Sequence, residues 1–176
     1  APPGQSAETG LLLAGKNDQM RAYEAATGKE VWQKRIGGGQ PLMLRHETFI
    51  NQAGHTYNTR TGELLSGNAL FVRGGCNYAV AGEHLLFVRD RCVSYVDLDS
   101  RAKHYLRNVR SGCSNSLVAA DGLLNAPCFS VQCVCNYPIQ TSFAMLHMPE
   151  VAKWAGETPQ DMATWRKPGG AWQRSR

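Results

Sequence analysis

Residues 11–32, LLLAGKNDQMRAYEAATGKEVW, contain three short apolar or alternating runs that are separated by two polar turns. The first run is Leu11–Leu13, and the second, alternating run reaches Tyr23. A Thr-Gly-Lys turn at 27–29 then precedes the last run, which ends at Trp32. Short alternating runs joined by tight turns are typical of antiparallel strands. This stretch therefore predicts a meander of strands, which is too small to bury a core of its own.

The meander pattern returns further along the chain. The turn at 27–29 is matched by Thr61-Gly62-Glu63 and, in degenerate form, by Asp99-Ser100-Arg101. Three tyrosines occupy the same slot of the pattern, 34 and 38 positions apart, namely Tyr23, Tyr57 and Tyr95. A period of this length that is made of strands indicates a β-propeller or a related array. The sequence therefore predicts an all-β fold of about four blades, each a four-stranded antiparallel sheet.

The predicted organisation has three parts. They are an N-terminal linker at 1–10, the blades at 11–148 and an irregular tail at 149–176. The first residues, APPGQS, have the character of a loop, and we expect either a processed N-terminus or a piece of a longer protein. The tail is rich in Pro, Gly and polar residues and contains Trp154, Trp165 and Trp172. We expect it to pack on the outside of the blades or, alternatively, to be a linker or a partner-binding arm.

Composition and charge exclude several function classes. The chain has 176 residues, a net charge of +5 and 43% hydrophobic residues, with 18 Gly and 8 Pro, which suits a turn-rich β protein. No stretch approaches the roughly 18 apolar residues of a membrane span. The basic residues form no stripe interleaved with aromatic residues, so nucleic-acid binding is not predicted.

Six cysteines fall within 60 consecutive positions: Cys76, Cys92, Cys113, Cys128, Cys133 and Cys135. An even number in one region predicts disulfides and an oxidising compartment, so we expect an extracytoplasmic (periplasmic or secreted) protein. Zinc sites usually have paired knuckles with two to four residues between ligands, and these spacings do not match them. Bridges within hairpins, Cys76–Cys92 and Cys113–Cys128, and a bridge between neighbouring units, Cys76–Cys113, are equally compatible with the sequence.

Residues 18–32 resemble the repeat of quinoprotein-type (PQQ-like) β-propellers, in which a strand with Tyr is followed by a Thr-Gly turn, an aliphatic residue and Trp. The cysteine-containing half, with Gly75-Cys76, Gly112-Cys113 and Cys133-Val134-Cys135, is similar to the closing blades of large secreted bacterial propellers of the PQQ-like or BamB-like type. The resemblance covers about residues 11–148.

This resemblance implies an eight-bladed ring, of which four units are half. A half-ring leaves the outward faces of its first and last sheets uncovered and is not expected to be stable alone. The chain is therefore expected to be a fragment, to find its other half on a partner chain, or to have an unusual number of blades.

The enzymatic branch of this family holds pyrroloquinoline quinone (PQQ) with calcium, adjacent cysteines, a stacking Trp and an Asp base. The sequence has no Cys-Cys pair. Trp32 occupies a repeat position that predicts packing, and Asp97 occupies one that predicts a turn residue. No catalytic, cofactor-binding or metal-binding residue is therefore predicted. PQQ with calcium is expected only under the alternative that the chain is a fragment of a quinoprotein dehydrogenase whose site lies mostly on other residues.

Recognition is the remaining functional hypothesis. Arginines recur near predicted strand ends, and they predict a basic binding face at Arg45, Arg73, Arg89 and Arg110, with a solvated rim as the alternative. The predicted function is a non-catalytic extracytoplasmic module for binding or scaffolding within a larger protein or complex. The expected partner is a protein or the missing half of the propeller.

Overall fold

The computed structural model describes residues 4–74, 76–107, 109–112, 116–128, 142–146, 148 and 150. The chain divides into two units, Ala1–Met145 and Leu146–Arg176. The predicted tail, 149–176, lies outside the described residues except for Glu150, so its expected packing stays a prediction.

Fifteen strands lie in the described residues, and they form four antiparallel sheets in which neighbours in sequence are neighbours in space. The first sheet contains β1 (Gly4–Ser6), β2 (Leu11–Lys16), β3 (Gln19–Glu24) and β4 (Glu30–Arg35). The second contains β5 (Met43–Arg45), β6 (Thr48–Ile50), β7 (Thr56–Asn58) and β8 (Leu64–Ser66). The third contains β9 (Val80–Ala81), β10 (Leu85–Asp90), β11 (Cys92–Asp97) and β12 (Lys103–Leu106). The described part of the fourth contains β13 (Val118–Ala120), β14 (Leu123–Ala126) and β15 (Phe143–Leu146). The predicted all-β architecture of antiparallel blades is confirmed.

The predicted linker at 1–10 is wrong in part, because β1 belongs to the first sheet. Gly4–Ser6 pairs with Leu11–Leu13, and the Ser6 side chain is buried, where its Oγ accepts the N–H of Thr9 at 3.3 Å. A sheet ladder is made by backbone groups, so a strand of three residues needs no apolar alternation to form. Gly-Gln-Ser gives no such alternation, and the strand was therefore not visible in the sequence.

The turn between the third and fourth strands is built alike in the first three sheets. Tyr23, Tyr57 and Tyr95 lie in β3, β7 and β11, but only the first two share a slot: the turn hydrogen bonds of Glu24, Asn58 and Asp97 place Val96, and not Tyr95, at the position of Tyr23 and Tyr57. In the turns that follow, φ is 72° at Gly28, 66° at Gly62 and 62° at Arg101. The predicted repeat of the turn is therefore confirmed at Thr61-Gly62-Glu63, whereas the third copy is shifted by one residue from the prediction, with Ser100 at the threonine position and Arg101 at the glycine position.

Asp97 has the turn role that its position predicts. Its Oδ1 accepts the backbone N–H groups of Asp99 at 3.0 Å and of Ser100 at 2.8 Å. The hydrogen bonds from Ser100 are the main reason that the pKa of Asp97 lies below its ordinary value. The carboxylate thus holds the turn between β11 and β12.

Apolar side chains fill the space between consecutive sheets. Between the first and second sheets the buried cluster is Leu11, Leu13, Met20, Ala22, Ile36 and Phe49. Between the second and third it is Met43, Ile50, Phe71, Ala79, Leu86, Val88 and Val96. Val93, Leu117 and Ala126 form a third cluster, with Phe143 packed against it. Full burial of one such aliphatic side chain contributes about 1.5–3 kcal/mol, so these seams are the main source of stability.

Trp32 joins the first sheet to the second, which confirms its predicted packing role. Its Nε1–H donates to the backbone carbonyl of Thr59 at 3.0 Å, and its ring lies 6.4 Å from that of Phe49 with nearly parallel planes. A Cβ placed on Gly62 would lie 3.0 Å from the indole ring. The indole therefore lies flat on the turn of the next sheet, and the glycine leaves room for it.

The corresponding contact between the second and third sheets uses different side chains. Ser66 pairs with Thr56 as Trp32 pairs with Ala22, so the serine stands at the tryptophan position. The Oγ of Ser66 accepts a hydrogen bond from the guanidinium of Arg101 at 3.0 Å. A large side chain on the turn thus faces a small one on the strand, which is the reverse of the arrangement at Trp32.

Two buried amides hold the connections between the sheets. The Nδ2 of Asn51 donates to the carbonyl of Gly37, in the Gly-rich connection between β4 and β5, at 2.9 Å. The Nε2 of Gln52 donates to the carbonyls of Pro41 at 2.9 Å and Ala79 at 3.0 Å, and its Oε1 accepts the N–H of Ala79 at 2.8 Å. Since buried polar groups are costly unless they are hydrogen bonded, these pairings fix the chain path before β5 and before β9.

In the part of the chain that the structure describes, no helix is long and apolar enough to cross a membrane.

Replacing Gly62 by Ala tests the seam at Trp32. The new Cβ would combine the cost of a left-handed backbone with overlap on the indole, so we expect the free energy of unfolding to fall by about 2–4 kcal/mol. Gly39→Ala is the matched control, because φ there is 74° and no atom lies within 4 Å of its Cβ position. Urea denaturation of both variants measures the difference, and equal losses would contradict a role for the Trp32–Gly62 contact.

Candidate functional site

A cavity of about 510 Å³ lies beside the connection between β10 and β11. Its lining residues come from the segment before β9, from this connection and from the outer strand: Val72, Asp90, Arg91, Cys92, Tyr105 and Arg107. Asp90 and Cys92 pair directly across the hairpin, and Arg91 between them is exposed with φ at 66°. The tight turn therefore presents the arginine at the edge of the cavity.

Asp90, the one carboxylate among the described residues that line the cavity, is already paired. Lys103 Nζ lies 2.5 Å from Asp90 Oδ2, and the hydroxyl of Tyr105 donates to the same oxygen at 3.0 Å. The ammonium group of Lys103 also lies 5.0 Å from the centre of the Tyr105 ring. Because Lys103 neutralises Asp90, the positive charges of Arg91 and Arg107 remain to dominate the cavity.

The pKa of Asp90 reflects these contacts. Burial would raise the pKa of this carboxyl, but the hydrogen bonds from Lys103 and Tyr105 and the charges of Lys103 and Arg91 outweigh it, so the pKa lies below its ordinary value of 3.8. Asp90 is therefore ionised at neutral pH and stays paired.

Cys92 is not suited to act as a nucleophile. Burial raises the pKa of its thiol, and the nearby charge of Asp90 raises it further. A thiolate is the reactive form of cysteine, so this side chain is a neutral, apolar part of the cavity floor at neutral pH. The cavity can bind a group, but this cysteine offers it no activated nucleophile.

The segment before β9 extends the site on one side. The N–H of Gly74 donates to the carbonyl of Arg89 at 2.8 Å, and a Cβ on Gly74 would lie 2.6 Å from the backbone nitrogen of Arg91. Only glycine permits this approach, which holds Val72 and Arg73 beside the hairpin. The guanidinium of Arg73 lies 5.8 Å from the centre of the Tyr78 ring.

Exposed aromatic, apolar and basic side chains therefore adjoin one another here. Val72 is 69% exposed, and Tyr78 and Tyr105 are each 47% exposed. We call this surface the third-sheet patch, and its members are Val72, Arg73, Tyr78, Arg91, Tyr105 and Arg107. Tyr and Arg are enriched among the residues that dominate binding energy at protein interfaces.

The four arginines of the predicted basic face do not lie together. Arg89 and Arg110 are buried, so they are corrected from that exposed face to the interior. The Nε of Arg45 donates to the carbonyl of Glu83 at 2.6 Å, and its guanidinium pairs with Asp99, so it links the second and third sheets. Only Arg73 belongs to the third-sheet patch.

Several members of the patch were not predicted as site residues. The signal that could have found Tyr105 is its spacing from Lys103, since residues two apart on a strand share a face, and Arg107 follows directly after this strand. Asp90 gave no such signal, because its role depends on a pairing with β12 that the sequence does not reveal.

None of the three bridges that the sequence suggested, Cys76–Cys92, Cys113–Cys128 and Cys76–Cys113, is formed in this structure, because each needs Cys76 or Cys128. Cys76, Cys92 and Cys128 all have free thiols; Cys76 is exposed, whereas Cys92 is buried at the start of β11. The remaining candidates, Cys113, Cys133 and Cys135, lie outside the described residues.

The absence of a PQQ and calcium site stays a prediction, as does the alternative of a fragment whose site lies mostly on other residues. Trp32 is engaged with the second sheet through its hydrogen bond to Thr59 and its contact with Gly62. Within the described ranges, no three His, Cys, Asp or Glu side chains come together as a metal site requires.

Comparison with known proteins supports the fold. No family model and no curated protein sequence matches the chain. BamB from Moraxella catarrhalis, a β-propeller, matches with a TM-score of 0.53 and 16% identity, over 71% of this chain and 42% of that one. The N-terminal domain of Nup159 matches with a TM-score of 0.54 and 12% identity, over 86% of this chain and 46% of that one. The chain thus spans less than half the length of both, and its fold is that of β-propeller blades; the PQQ-like assignment stays a prediction.

Replacing Asp90 by Asn tests the paired carboxylate. The pKa of Asp90 is lower in the folded chain than in the unfolded one, so its stabilising effect is present above about pH 4 and is lost as the pH falls through the folded-state value. We expect Asp90→Asn to lower the free energy of unfolding by about 1–3 kcal/mol at pH 7, with a difference that shrinks towards pH 2. Urea denaturation across this range measures it, with the exposed Asp121→Asn as control; a difference independent of pH would contradict the pairing.

Proposed function

We propose that this chain is a protein-interaction module and that the third-sheet patch binds an acidic segment of a protein partner. One observation carries the proposal. The cavity of about 510 Å³ is flanked by Arg91 and Arg107, while the carboxylate in its lining, Asp90, is already paired with Lys103. The site therefore attracts negative charge, and among the described residues of its lining no unpaired carboxylate opposes it.

The chemistry of the patch suits a carboxylate that is flanked by apolar groups. Guanidinium groups bind carboxylates through two parallel hydrogen bonds, and these are stronger than hydrogen bonds between neutral groups. Val72 and Tyr105 supply apolar area beside them. Both side chains are more than 40% exposed, and burying them against a partner removes apolar surface from water.

A non-catalytic role belongs to the same proposal. The thiol of Cys92 is protonated at neutral pH because burial raises its pKa. The polar side chains around it bind one another or face solvent, which supports recognition by charge and shape. Scaffolding within a larger assembly is compatible with this role, since propeller blades present their connecting loops to partners.

An extracytoplasmic location is also part of the proposal. It rests on the concentration of six cysteines between residues 76 and 135. Among the described cysteines, the thiol of Cys76 is the most accessible to an oxidant, because Cys92 is buried and Cys128 is partly buried.

Binding to acidic peptides tests the proposed function. The probes are ten-residue peptides with two Glu residues separated by Leu or Phe, and identical peptides with Gln in place of Glu. We expect the acidic peptides to bind at least tenfold more tightly in fluorescence anisotropy, with affinity that falls as salt is added. Arg107→Glu should abolish the preference. Arg35→Glu, on the first sheet, is the matched charge reversal and should change it little. Equal binding of Glu and Gln peptides, or equal effects of the two variants, would overturn the proposal.

Mass spectrometry after alkylation tests the disulfides. In protein isolated without reductant and then unfolded, we expect fewer than six alkylated cysteines, and all six after reduction. Six free thiols before reduction would contradict the disulfides and remove the argument for an oxidising compartment.

A further inference from the structure

The outermost strand of the third sheet has one side that can pair with a further strand. β12 (Lys103–Leu106) is the last strand in the order of this sheet, and among the described residues no strand pairs with its other side. Residues 101–107 are all exposed or half-buried. A strand at the edge of a sheet presents backbone N–H and C=O groups that another chain can bind.

The register of the sheet shows which backbone groups face outward. The N–H of Asp97 donates to the carbonyl of Ala102 at 2.9 Å, so these residues form a hydrogen-bonded pair. Hydrogen-bonded and non-hydrogen-bonded pairs alternate along an antiparallel ladder, so the next residue of β12 that exchanges hydrogen bonds with β11 is His104. The N–H and C=O groups of Lys103 and Tyr105 therefore point away from β11, and we call these four groups the open edge of β12.

The charge along this strand is basic. Residues 101–107, RAKHYLR, contain three Lys or Arg residues and no Asp or Glu. The guanidinium of Arg101 donates to neutral oxygens, and Arg107 lines the cavity of the third-sheet patch. A lysine on an edge strand usually discourages pairing with another chain. Here the ammonium group of Lys103 is held by Asp90, so this obstacle to pairing is reduced.

The outer strands of the other sheets lack this combination. β4 contains Glu30, and β8 has three residues and follows directly after Glu63. The described part of the fourth sheet ends in β15, which contains no basic residue. Among the described sheets, the third is therefore the one whose outer strand suits an acidic segment.

We propose that the acidic segment binds as an additional antiparallel strand on the open edge of β12, which rests on the proposed function of the third-sheet patch. A residue opposite Tyr105 then exchanges two backbone hydrogen bonds with it. Side chains alternate between the two faces of a strand, so a Glu-Leu-Glu sequence places both carboxylates on the face of Tyr105. Its Leu then lies beside Leu106 on the other face, as a cross-strand apolar pair.

The distribution of charge sets the position of the segment along β12. Arg91 and Arg107 lie at the end of the strand that adjoins the cavity. Asp97 and Asp99 lie at the other end, where β11 connects to β12. Like charges repel, so the carboxylates of the segment lie near Arg107 and away from this connection. Backbone hydrogen bonds thus hold the segment on the edge, while the charges select its sequence and register.

N-methylated peptides test the added strand. The parent probe is a ten-residue peptide with a central Glu-Leu-Glu. One variant carries N-methyl groups on both Glu residues, and the matched variant carries them on Leu and on the residue after the second Glu. Because the N–H groups of alternate residues face β12, we expect the first variant to bind at least tenfold more weakly than the parent in fluorescence anisotropy. The second should bind within threefold of the parent.

Different results of this experiment count against the added strand and against the proposed function. Equal effects of the two variants, or a greater loss with the second, would overturn the antiparallel strand, even where the parent still binds more tightly than its Gln counterpart. Equal binding of the parent and its Gln counterpart would overturn the proposed function, and the added strand with it.

Amide hydrogen exchange, followed by NMR, tests the same edge on the protein side. With the parent peptide at saturation, we expect exchange at Lys103 and Tyr105 to slow at least tenfold, because their N–H groups gain acceptors. The amides of β4, the outer strand of the first sheet, are the internal control and should change less than twofold. Unchanged exchange at Lys103 and Tyr105 while the peptide is bound would overturn the added strand.

Discussion

The contact of Trp32 with the turn of the second sheet determines how these sheets can pack. A small antiparallel sheet buries only one apolar face and depends on a neighbour to cover it. The hydrogen bond to Thr59 fixes the direction of the indole, and Gly62 fixes how closely the turn approaches it. Leu13 and Phe49 then meet in the buried seam, so one side chain on an outer strand sets the geometry of the core beneath it.

Between the second and third sheets, polar side chains make the contact that Trp32 makes between the first and second sheets. Arg101 reaches Ser66, and Arg45 spans from β5 to Glu83 and Asp99. The hydrogen bonds from Arg45 and then His84 hold the pKa of Asp99 below its ordinary value. Arginines at this seam are therefore part of the structure that joins two sheets. This explains why a count of arginines near strand ends predicts a basic face that the folded chain does not form.

The sequence predicted the fold better than the site for a physical reason. Strand alternation and the Thr-Gly turn are local, so the slot of Tyr23 and the packing of Trp32 follow from a few neighbouring residues. The pairing of Asp90 with Lys103 depends on the register of β10, β11 and β12, which no local pattern reveals. Burial of Arg89 and Arg110 is equally non-local, since their positions near strand ends suggested exposure. The strand Gly4–Ser6 escaped prediction because its partners are backbone groups.

The antiparallel topology places the charged side chains that pair across a seam at one end of the sheets, and the arginines of the third-sheet patch at the other end. Arg45, Glu83 and Asp99 lie at the β5–β6, β9–β10 and β11–β12 connections, which antiparallel order places at one end. There the charges pair across a seam. Arg91 lies on the β10–β11 connection at the other end, where the lining carboxylate is already taken by Lys103. A surface can attract an acidic segment only where its positive charges are not neutralised by ion pairs within the fold. Successive connections lie at alternate ends of an antiparallel sheet, and the arginines of the third-sheet patch lie at the end without those pairs.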